Sequence, residues 1–171
     1  MTGWGRRLTR SALWPAALLL LAGCTAPIGV SGYISQCAEV DDKAVKYINW
    51  ARVPEVDIRI RNAEFEPMVV RMRQGWPYVL RIRNRDHETR VFKAHEFFRR
   101  VAVLKATVAG EEQDFTCFGA VSLPPRQSAE IRLVALTDGY YEYEDSLIPI
   151  PAMFSSGPNG VIIIEERRSR I

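Results

Sequence analysis

Apolar and polar residues alternate along several short stretches of the chain, a pattern that predicts β-strands with one buried face. The alternation is clearest at residues 56–61, 78–83 and 131–135, and a nearly continuous apolar run at 160–164 indicates a buried terminal strand. Clusters of Gly, Pro, Asn and Asp separate these stretches and mark turns. We therefore predict seven or eight short strands that form an all-β antiparallel sandwich or Greek-key barrel.

Few segments favour helix. Residues 95–100 contain no turn residues and fit one or two helical turns, whereas residues 38–49 fit a short helix or an extended arm. The sequence contains no long amphipathic helix, internal repeat or low-complexity block. We predict one domain at residues 54–166, preceded by a tether and N-terminal arm at 24–53 and followed by a solvated tail at 167–171.

The first 23 residues have the composition of an export signal. Three arginines precede an apolar run at residues 11–23, which Pro15 interrupts and which is too short to span a bilayer. The run ends in the letters LAGC at residues 21–24, which resemble the lipobox of bacterial lipoproteins. The resemblance implies that residues 1–23 are removed and that Cys24 carries a lipid anchor. The alternative is an ordinary secretory signal with a chance cysteine.

The lipobox resemblance also implies a location. A lipid-anchored chain of this kind lies in the cell envelope and faces the periplasm. Thr25 follows the cysteine, where lipoproteins kept at the inner membrane often carry Asp, and this favours the outer membrane. The expected partners are the membrane, through the lipid, and a second protein of the envelope.

Removal of the leader changes the charge balance of the chain. The full chain has 23 basic and 20 acidic residues, and three of the basic residues lie in the leader. The mature chain therefore has 20 of each, and the basic character of the full sequence comes from the leader. A balanced charge gives no basis for a nucleic-acid partner.

Cysteine usage fits an exported protein. The chain has three cysteines, of which the lipobox takes Cys24. Because the cell envelope is an oxidising compartment, the remaining Cys37 and Cys117 are expected to form a disulfide. A free thiol or a metal ligand at either position is the alternative.

A series of short motifs resembles a known fold. In chain order these are Phe65-Glu66-Pro67, Gly75, Leu80-Arg81-Ile82-Arg83-Asn84, Arg90-Val91-Phe92, Ala94-His95-Glu96-Phe97-Phe98, Ile131-Arg132-Leu133, Gly139-Tyr140-Tyr141-Glu142-Tyr143-Glu144-Asp145 and Gly160-Val161-Ile162-Ile163. Their order and spacing over residues 54–166 resemble the cupredoxins, the blue-copper proteins. The resemblance implies a cupredoxin-like Greek-key β-sandwich or barrel with one short helix.

The same resemblance locates the copper-ligand positions of the family. A type 1 copper site needs two histidines, a cysteine thiolate and a weak axial ligand. Arg90 stands at the first histidine position, Asp145 at the cysteine position and Ile148 at the second histidine position. Only Met153 has a counterpart, as the axial methionine. We therefore expect no type 1 copper site, and an ion pair between Arg90 and Asp145 in its place.

A different metal site is an alternative. His87, His95 and Met153 offer imidazole and thioether groups, which suit copper in a non-blue arrangement. The competing interpretation is that the two histidines are exposed polar residues. We expect no cofactor, and copper is the alternative.

The sequence contains no nucleophile elbow, phosphate loop or paired-cysteine zinc motif. We therefore do not expect an enzyme. The sequence favours a non-enzymatic binding or assembly module at the membrane surface. The second hypothesis is a periplasmic copper-handling protein, and blue-copper electron transfer is disfavoured because the thiolate is missing.

Overall fold

The computed structural model describes residues 29–33, 36–145 and 159–167 of the 171-residue chain. The predicted leader, the predicted lipidation site Cys24, and the positions Ile148 and Met153 lie outside these residues. Within them, two six-stranded β-sheets pack against each other, with two short helices. The predicted all-β sandwich is confirmed.

Twelve strands and two α-helices make up the described part of the chain. In chain order the strands are β1 (Gly29–Tyr33), β2 (Glu55–Arg61), β3 (Glu64–Glu66), β4 (Val69–Arg73), β5 (Pro77–Asn84), β6 (Arg90–Lys93), β7 (Val101–Val108), β8 (Glu111–Glu112), β9 (Phe118–Leu123), β10 (Ser128–Ala135), β11 (Gly139–Asp145) and β12 (Asn159–Glu165). The helices are α1 (Asp42–Val45) and α2 (His95–Arg100), and Trp50–Arg52 form a 3-10 turn. Neither helix in these ranges has the length and apolar composition needed to cross a membrane.

The two sheets differ in strand order. The first sheet runs β1-β9-β6-β11-β12-β4, and the second runs β3-β2-β5-β10-β7-β8. Neighbouring strands are antiparallel except for two parallel pairs, β12 with β4 and β2 with β5. The sandwich is therefore mixed rather than purely antiparallel. Side-chain alternation reports which face of a strand is buried and carries no information on the direction of its neighbour.

The core lies between the sheets and is covered at one side by α2. In β2, Ile58 and Ile60 are fully buried while Arg59 is exposed, as the alternation predicts. Helix α2 inserts Phe97 and Phe98 into the same core and contacts β7, β9 and β11. The helix ends at Arg100, and β7 begins at the next residue.

Three strands lie where the sequence pattern gives no signal. Strand β1 falls within the predicted tether and pairs antiparallel with β9, so the sandwich begins before the expected boundary at residue 54. Strands β3 and β8 contain three and two residues, which is too few to show a period. These strands help to raise the number from the predicted seven or eight to twelve.

The predicted disulfide between Cys37 and Cys117 is present, with the two Cα atoms 5.7 Å apart. Cys37 follows β1 and Cys117 directly precedes β9. The bridge therefore fastens the N-terminal segment to the first sheet beside the strand with which β1 pairs.

Candidate functional site

Several loops of the sandwich meet where β5 ends and β6 begins. The connecting loop at residues 85–89 contacts the turn between β2 and β3 through Asp86. Asn84, the last residue of β5, contacts the end of β9 and the turn that follows it. Strand β11 ends at the same place, because Asp145 stands beside β6 in the first sheet. We refer to Asp86, Arg90 and Asp145 as the Arg90 cluster.

Arg90 is the centre of this cluster. Its Nε donates to Asp86 Oδ2 at 3.0 Å, and its Nη1 donates to Asp145 Oδ2 at 3.2 Å. Its Nη2 lies 3.6 Å from a carboxylate oxygen of Glu88, whose side chain is 80% exposed. The side chains of Arg90, Asp86 and Asp145 are only 19%, 11% and 9% exposed, so the two aspartates are its main partners.

Asp86 joins the cluster to the β2–β3 turn. Its two carboxylate oxygens accept hydrogen bonds from the backbone N–H groups of Asn62, at 2.7 Å, and Ala63, at 2.9 Å. Burial raises the pKa of the Asp86 carboxyl, but these two hydrogen bonds and the Arg90 guanidinium together lower it by more. The pKa therefore lies below its ordinary value. Asp86 is therefore held as a carboxylate.

Both carboxylate oxygens of Asp145 also accept hydrogen bonds. Its Oδ1 accepts from the backbone N–H of Val91 at 2.9 Å while its Oδ2 accepts from Arg90. Strands β6 and β11 are thus joined by side-chain bonds in addition to their backbone pairing. The ion pair between Arg90 and Asp145 that we predicted from the sequence is present in the structure.

Asn84 fixes the loop that carries Asp86. It is 1% exposed, and its Nδ2 donates to the carbonyl oxygens of Glu88, Leu123 and Pro124 at 2.7 to 3.0 Å. Its Oδ1 accepts from the backbone N–H of Asp86 at 2.9 Å. A buried amide with both ends satisfied stabilises the loop in one conformation.

The two candidate histidines lie at opposite ends of β6. His87 is an exposed residue of the 85–89 loop, and His95 is the exposed first residue of α2. The Nε2 atom of His87 lies 2.6 Å from an Nη atom of Arg126. Because a guanidinium only donates hydrogen bonds, this nitrogen accepts, and its lone pair is already engaged beside a cation. Met153, the third residue of the predicted non-blue set, lies outside the described residues.

The described residues do not fit a type 1 copper site. Cys37 and Cys117 are joined to each other, so neither supplies a thiolate. Arg90 carries a fixed positive charge, and both oxygens of Asp145 already accept hydrogen bonds. Within residues 29–33, 36–145 and 159–167, no group of three or more His, Cys, Asp or Glu side chains is arranged to hold a metal ion.

A basic cleft lies beside the cluster. It has a volume of about 460 Å³ and is lined by Arg59, Arg61, Arg85, Arg126 and His87, with Glu66 and Asp86 as the acidic groups. A second depression of about 370 Å³ shares Arg85 and Arg126 and continues over the outer face of the second sheet. Neither was predicted from the sequence. We refer to the first as the arginine cleft.

Ion pairs neutralise the arginines farther along that face. Arg81 pairs with Glu55 and Glu130, and Arg83 pairs with Asp57 at 2.8 Å. These pairs lie between neighbouring strands of the second sheet, where oppositely charged cross-strand neighbours stabilise a sheet modestly. The charge is therefore balanced over the middle of the sheet and unbalanced at the end occupied by the arginine cleft.

No protein-family model and no curated protein matches the chain. Among solved structures, 69% of the chain aligns with 90% of an amicyanin variant in the reduced state, at 15% identity and a TM-score of 0.39. Auracyanin A, a blue copper protein from Chloroflexus aurantiacus, aligns over 65% of this chain and 98% of its own, at 10% identity and a TM-score of 0.42.

A multicopper oxidase from Aquifex aeolicus aligns with 68% of the chain, at 11% identity and a TM-score of 0.47. The chain spans 30% of that oxidase. The chain is thus similar to two cupredoxins and to part of a multicopper oxidase. Identities of 10 to 15% carry no information on what this chain binds.

Sequence reasoning missed the roles of Asp86 and Asn84. In the sequence, Asp86 belongs to a cluster of turn residues after β5, and Asn84 is the last residue of the Leu80–Asn84 motif of the cupredoxin resemblance. The available signal was the spacing of four residues between Asp86 and Arg90, but such a spacing identifies a partner on a helix and not in a loop. The bonds to Asn62, Ala63 and Leu123 join distant parts of the chain, which no local pattern records.

Proposed function

We propose that the chain is a lipid-anchored, non-enzymatic binding or assembly module of the cell envelope that has no type 1 copper site. One observation carries the second half of this proposal. Arg90 lies between Asp86 and Asp145, bonded to both, where the sequence resemblance locates a copper ligand. The guanidinium and the two carboxylates are therefore bonded to one another.

The chemistry of the cluster supports this view. A guanidinium is not deprotonated in a protein, so its charge is present at every physiological pH. A cation brought to this place would meet that charge at short range. It would also have to displace two charge-assisted hydrogen bonds, each stronger than a neutral one.

The anchoring half of the proposal rests on the sequence. The LAGC motif at residues 21–24 and the apolar run before it support export and lipid attachment at Cys24. The disulfide between Cys37 and Cys117 fits an oxidising compartment such as the periplasm. A partner protein in the envelope and the outer membrane as location complete this proposal.

Copper titration separates the two candidate functions. The purified full chain is titrated with Cu(II) and, without oxygen, with Cu(I), while binding and the visible spectrum are followed. We expect no intense blue absorption and no tight binding. Blue absorption would overturn the proposal.

Variants of the candidate copper ligands show whether any copper binding uses the predicted non-blue site. Tight binding that is lost in His87→Ala, His95→Ala or Met153→Ala would favour the copper-handling function instead.

Lipid labelling tests the anchor. The full chain is expressed in bacteria fed a palmitate analogue that can be detected after gel electrophoresis, and membrane and soluble fractions are compared. We expect the wild-type chain to be labelled and to appear in the membrane fraction. The Cys24→Ser variant should carry no label and should not be held at the membrane by lipid. An unlabelled wild-type chain would contradict the proposal.

A further inference from the structure

We propose that the arginine cleft is an anion-binding site for a phosphate group. The cleft lies beside the Arg90 cluster and shares only Asp86 with it, so neither Arg90 nor Asp145, the positions that the resemblance assigns to copper ligands, lines the cleft. The inference does not depend on the lipid anchor. It concerns one chemistry, a phosphate carried by a small molecule or by a lipid headgroup.

Three separate turns build the cleft. Arg61 ends β2, Arg85 follows β5, and Arg126 lies in the turn between β9 and β10. The backbone N–H of Arg85 donates to the Ile60 carbonyl at 2.8 Å, which fixes Arg85 beside the end of β2. Asn84 ties the same loop to the β9–β10 turn through Pro124. The cleft is therefore formed by backbone that the fold holds in place.

The arginines of the cleft differ from those on the rest of the sheet. Arg61, Arg85 and Arg126 form no ion pair with any carboxylate in the described residues, whereas Arg59 lies 3.5 Å from Asp57. Grouping like charges without counterions costs free energy unless an anion is bound. Arg61 and Arg85 are thus available to a ligand, and Arg126, which donates to His87, keeps further N–H donors for one.

The acidic groups of the cleft leave a positive balance. Asp86 is bonded to Arg90 and to two backbone N–H groups, and Glu66 is exposed. Four arginines against two carboxylates give the lining a net charge of +2. This charge matches a phosphate dianion, and the planar guanidinium fork matches two phosphate oxygens.

Arg126 also has an unusual backbone. Its φ angle of +63° lies in the left-handed region, which L-residues other than Asn and Asp seldom adopt. A glycine would adopt it without strain, yet the turn carries the arginine that contacts His87. Strained backbone at a charged cleft is a feature of binding sites.

The volume of the cleft defines the size of the ligand. About 460 Å³ is within the range of small-molecule sites and is larger than a single phosphate ion requires. We therefore expect the phosphate to carry a further group. This group would extend into the adjoining depression around Arg85 and Arg126.

Phosphate titration by calorimetry is the first test. The full chain is titrated with inorganic phosphate and with glycerol 3-phosphate, at fixed ionic strength. We expect saturable binding that weakens by about tenfold in Arg85→Gln and in Arg126→Gln, the effect of losing one charge-assisted contact. The control Arg52→Gln removes the same charge from an exposed site before β2 and should bind like the wild type.

The source of the phosphate is tested with vesicles. Chains carrying Cys24→Ser, with or without Arg85→Gln, are sedimented with phosphatidylcholine vesicles that contain or lack phosphatidic acid. Retention that requires both phosphatidic acid and Arg85 indicates a lipid headgroup, whereas binding of glycerol 3-phosphate alone indicates a soluble ligand.

Two results would overturn the site. One is the absence of saturable binding to any of these phosphates, which would leave the cleft as a solvated basic face. The other is an equal loss in Arg52→Gln, which would show general charge attraction. Circular dichroism of each variant checks its folding, and Arg61→Gln replaces any variant that does not fold.

Discussion

Arg90 illustrates how a single charged residue can be required without adding much stability. Its side chain is 19% exposed, and its two aspartate partners are less exposed still. An intact buried ion pair contributes little, because desolvation offsets the attraction, but removing one partner costs about 3–5 kcal/mol. We therefore expect the Arg90 cluster to tolerate no single replacement well.

Asp86 makes a prediction about pH. Its pKa is lowered in the folded chain, so the ionised form stabilises the fold above the unfolded pKa, and this stabilisation is lost as the pH falls through the folded pKa. In Asp86→Asn, the free energy of unfolding should fall by about 1–3 kcal/mol at neutral pH. It should also depend less on pH below about 4.

Urea unfolding at a series of pH values measures this difference. The control is Glu111→Gln, because Glu111 is an exposed carboxylate without an ion pair in the described residues. The control should keep the acid dependence of the wild type. An unchanged acid dependence in Asp86→Asn would show that the bonds from Asn62 and Ala63 to the Asp86 carboxylate do not contribute to the free energy of unfolding.

At the scale of the element, local pattern predicts the strands that have one buried face and enough residues to show it. Strand β2 alternates buried Ile58 and Ile60 with exposed arginines, and the sequence analysis located it. Strand β1 contains Gly29 and Ser31 and has no apolar period, so only its pairing with β9 defines it. The parallel neighbours depend on chain connections that no single strand encodes.

The β11–β12 pair contains a close approach that can be tested. Gly160 stands opposite Tyr143, and a Cβ atom on Gly160 would clash with the Cζ and hydroxyl oxygen of the tyrosine. The ring cannot move easily, because it is fully buried and its hydroxyl donates to the Pro67 carbonyl at 2.7 Å. Gly160→Ala should lower the free energy of unfolding by about 1–3 kcal/mol.

Chemical denaturation of the two proteins provides the measurement. Asn159→Ala, one residue earlier on β12 and exposed, is the control and should change stability by no more than about 0.5 kcal/mol. Equal stability of Gly160→Ala and the wild type would mean that the Tyr143 ring does not cover Gly160.

At the scale of the whole molecule, the disulfide joins segments that are distant in the sequence. Cys37 and Cys117 are 80 residues apart, so the bridge restricts a long loop of the unfolded chain. On the chain-entropy model, a loop of this length corresponds to roughly 4 kcal/mol. The double replacement Cys37→Ser with Cys117→Ser should lower the free energy of unfolding by about this amount.

Thermal and urea unfolding with and without reductant test this prediction. Reductant should bring the wild type close to the double variant and should leave the double variant unchanged. A loss below about 1 kcal/mol would show that the N-terminal segment is held by the β1–β9 pairing rather than by the bridge.

The candidate site could be predicted from the sequence only in part. The Arg90–Asp145 pair follows from the positions that the cupredoxin resemblance assigns to ligands. The arginine cleft was not predictable, because Arg61, Arg85 and Arg126 come from three turns whose meeting depends on the complete fold. For the same reason, the total charge of the chain does not reveal that three unpaired arginines meet in one cleft.

A double-mutant cycle at Arg90 and Asp145 tests most directly whether an internal ion pair occupies the position of the ligands. The free energy of unfolding is measured by urea for the wild type, Arg90→Gln, Asp145→Asn and the double variant. We predict that the sum of the two single losses in the free energy of unfolding exceeds the loss in the double variant by a coupling energy of about 1–3 kcal/mol. Single losses that simply add would contradict the pairing of Arg90 with Asp145 and, with it, our account of the site.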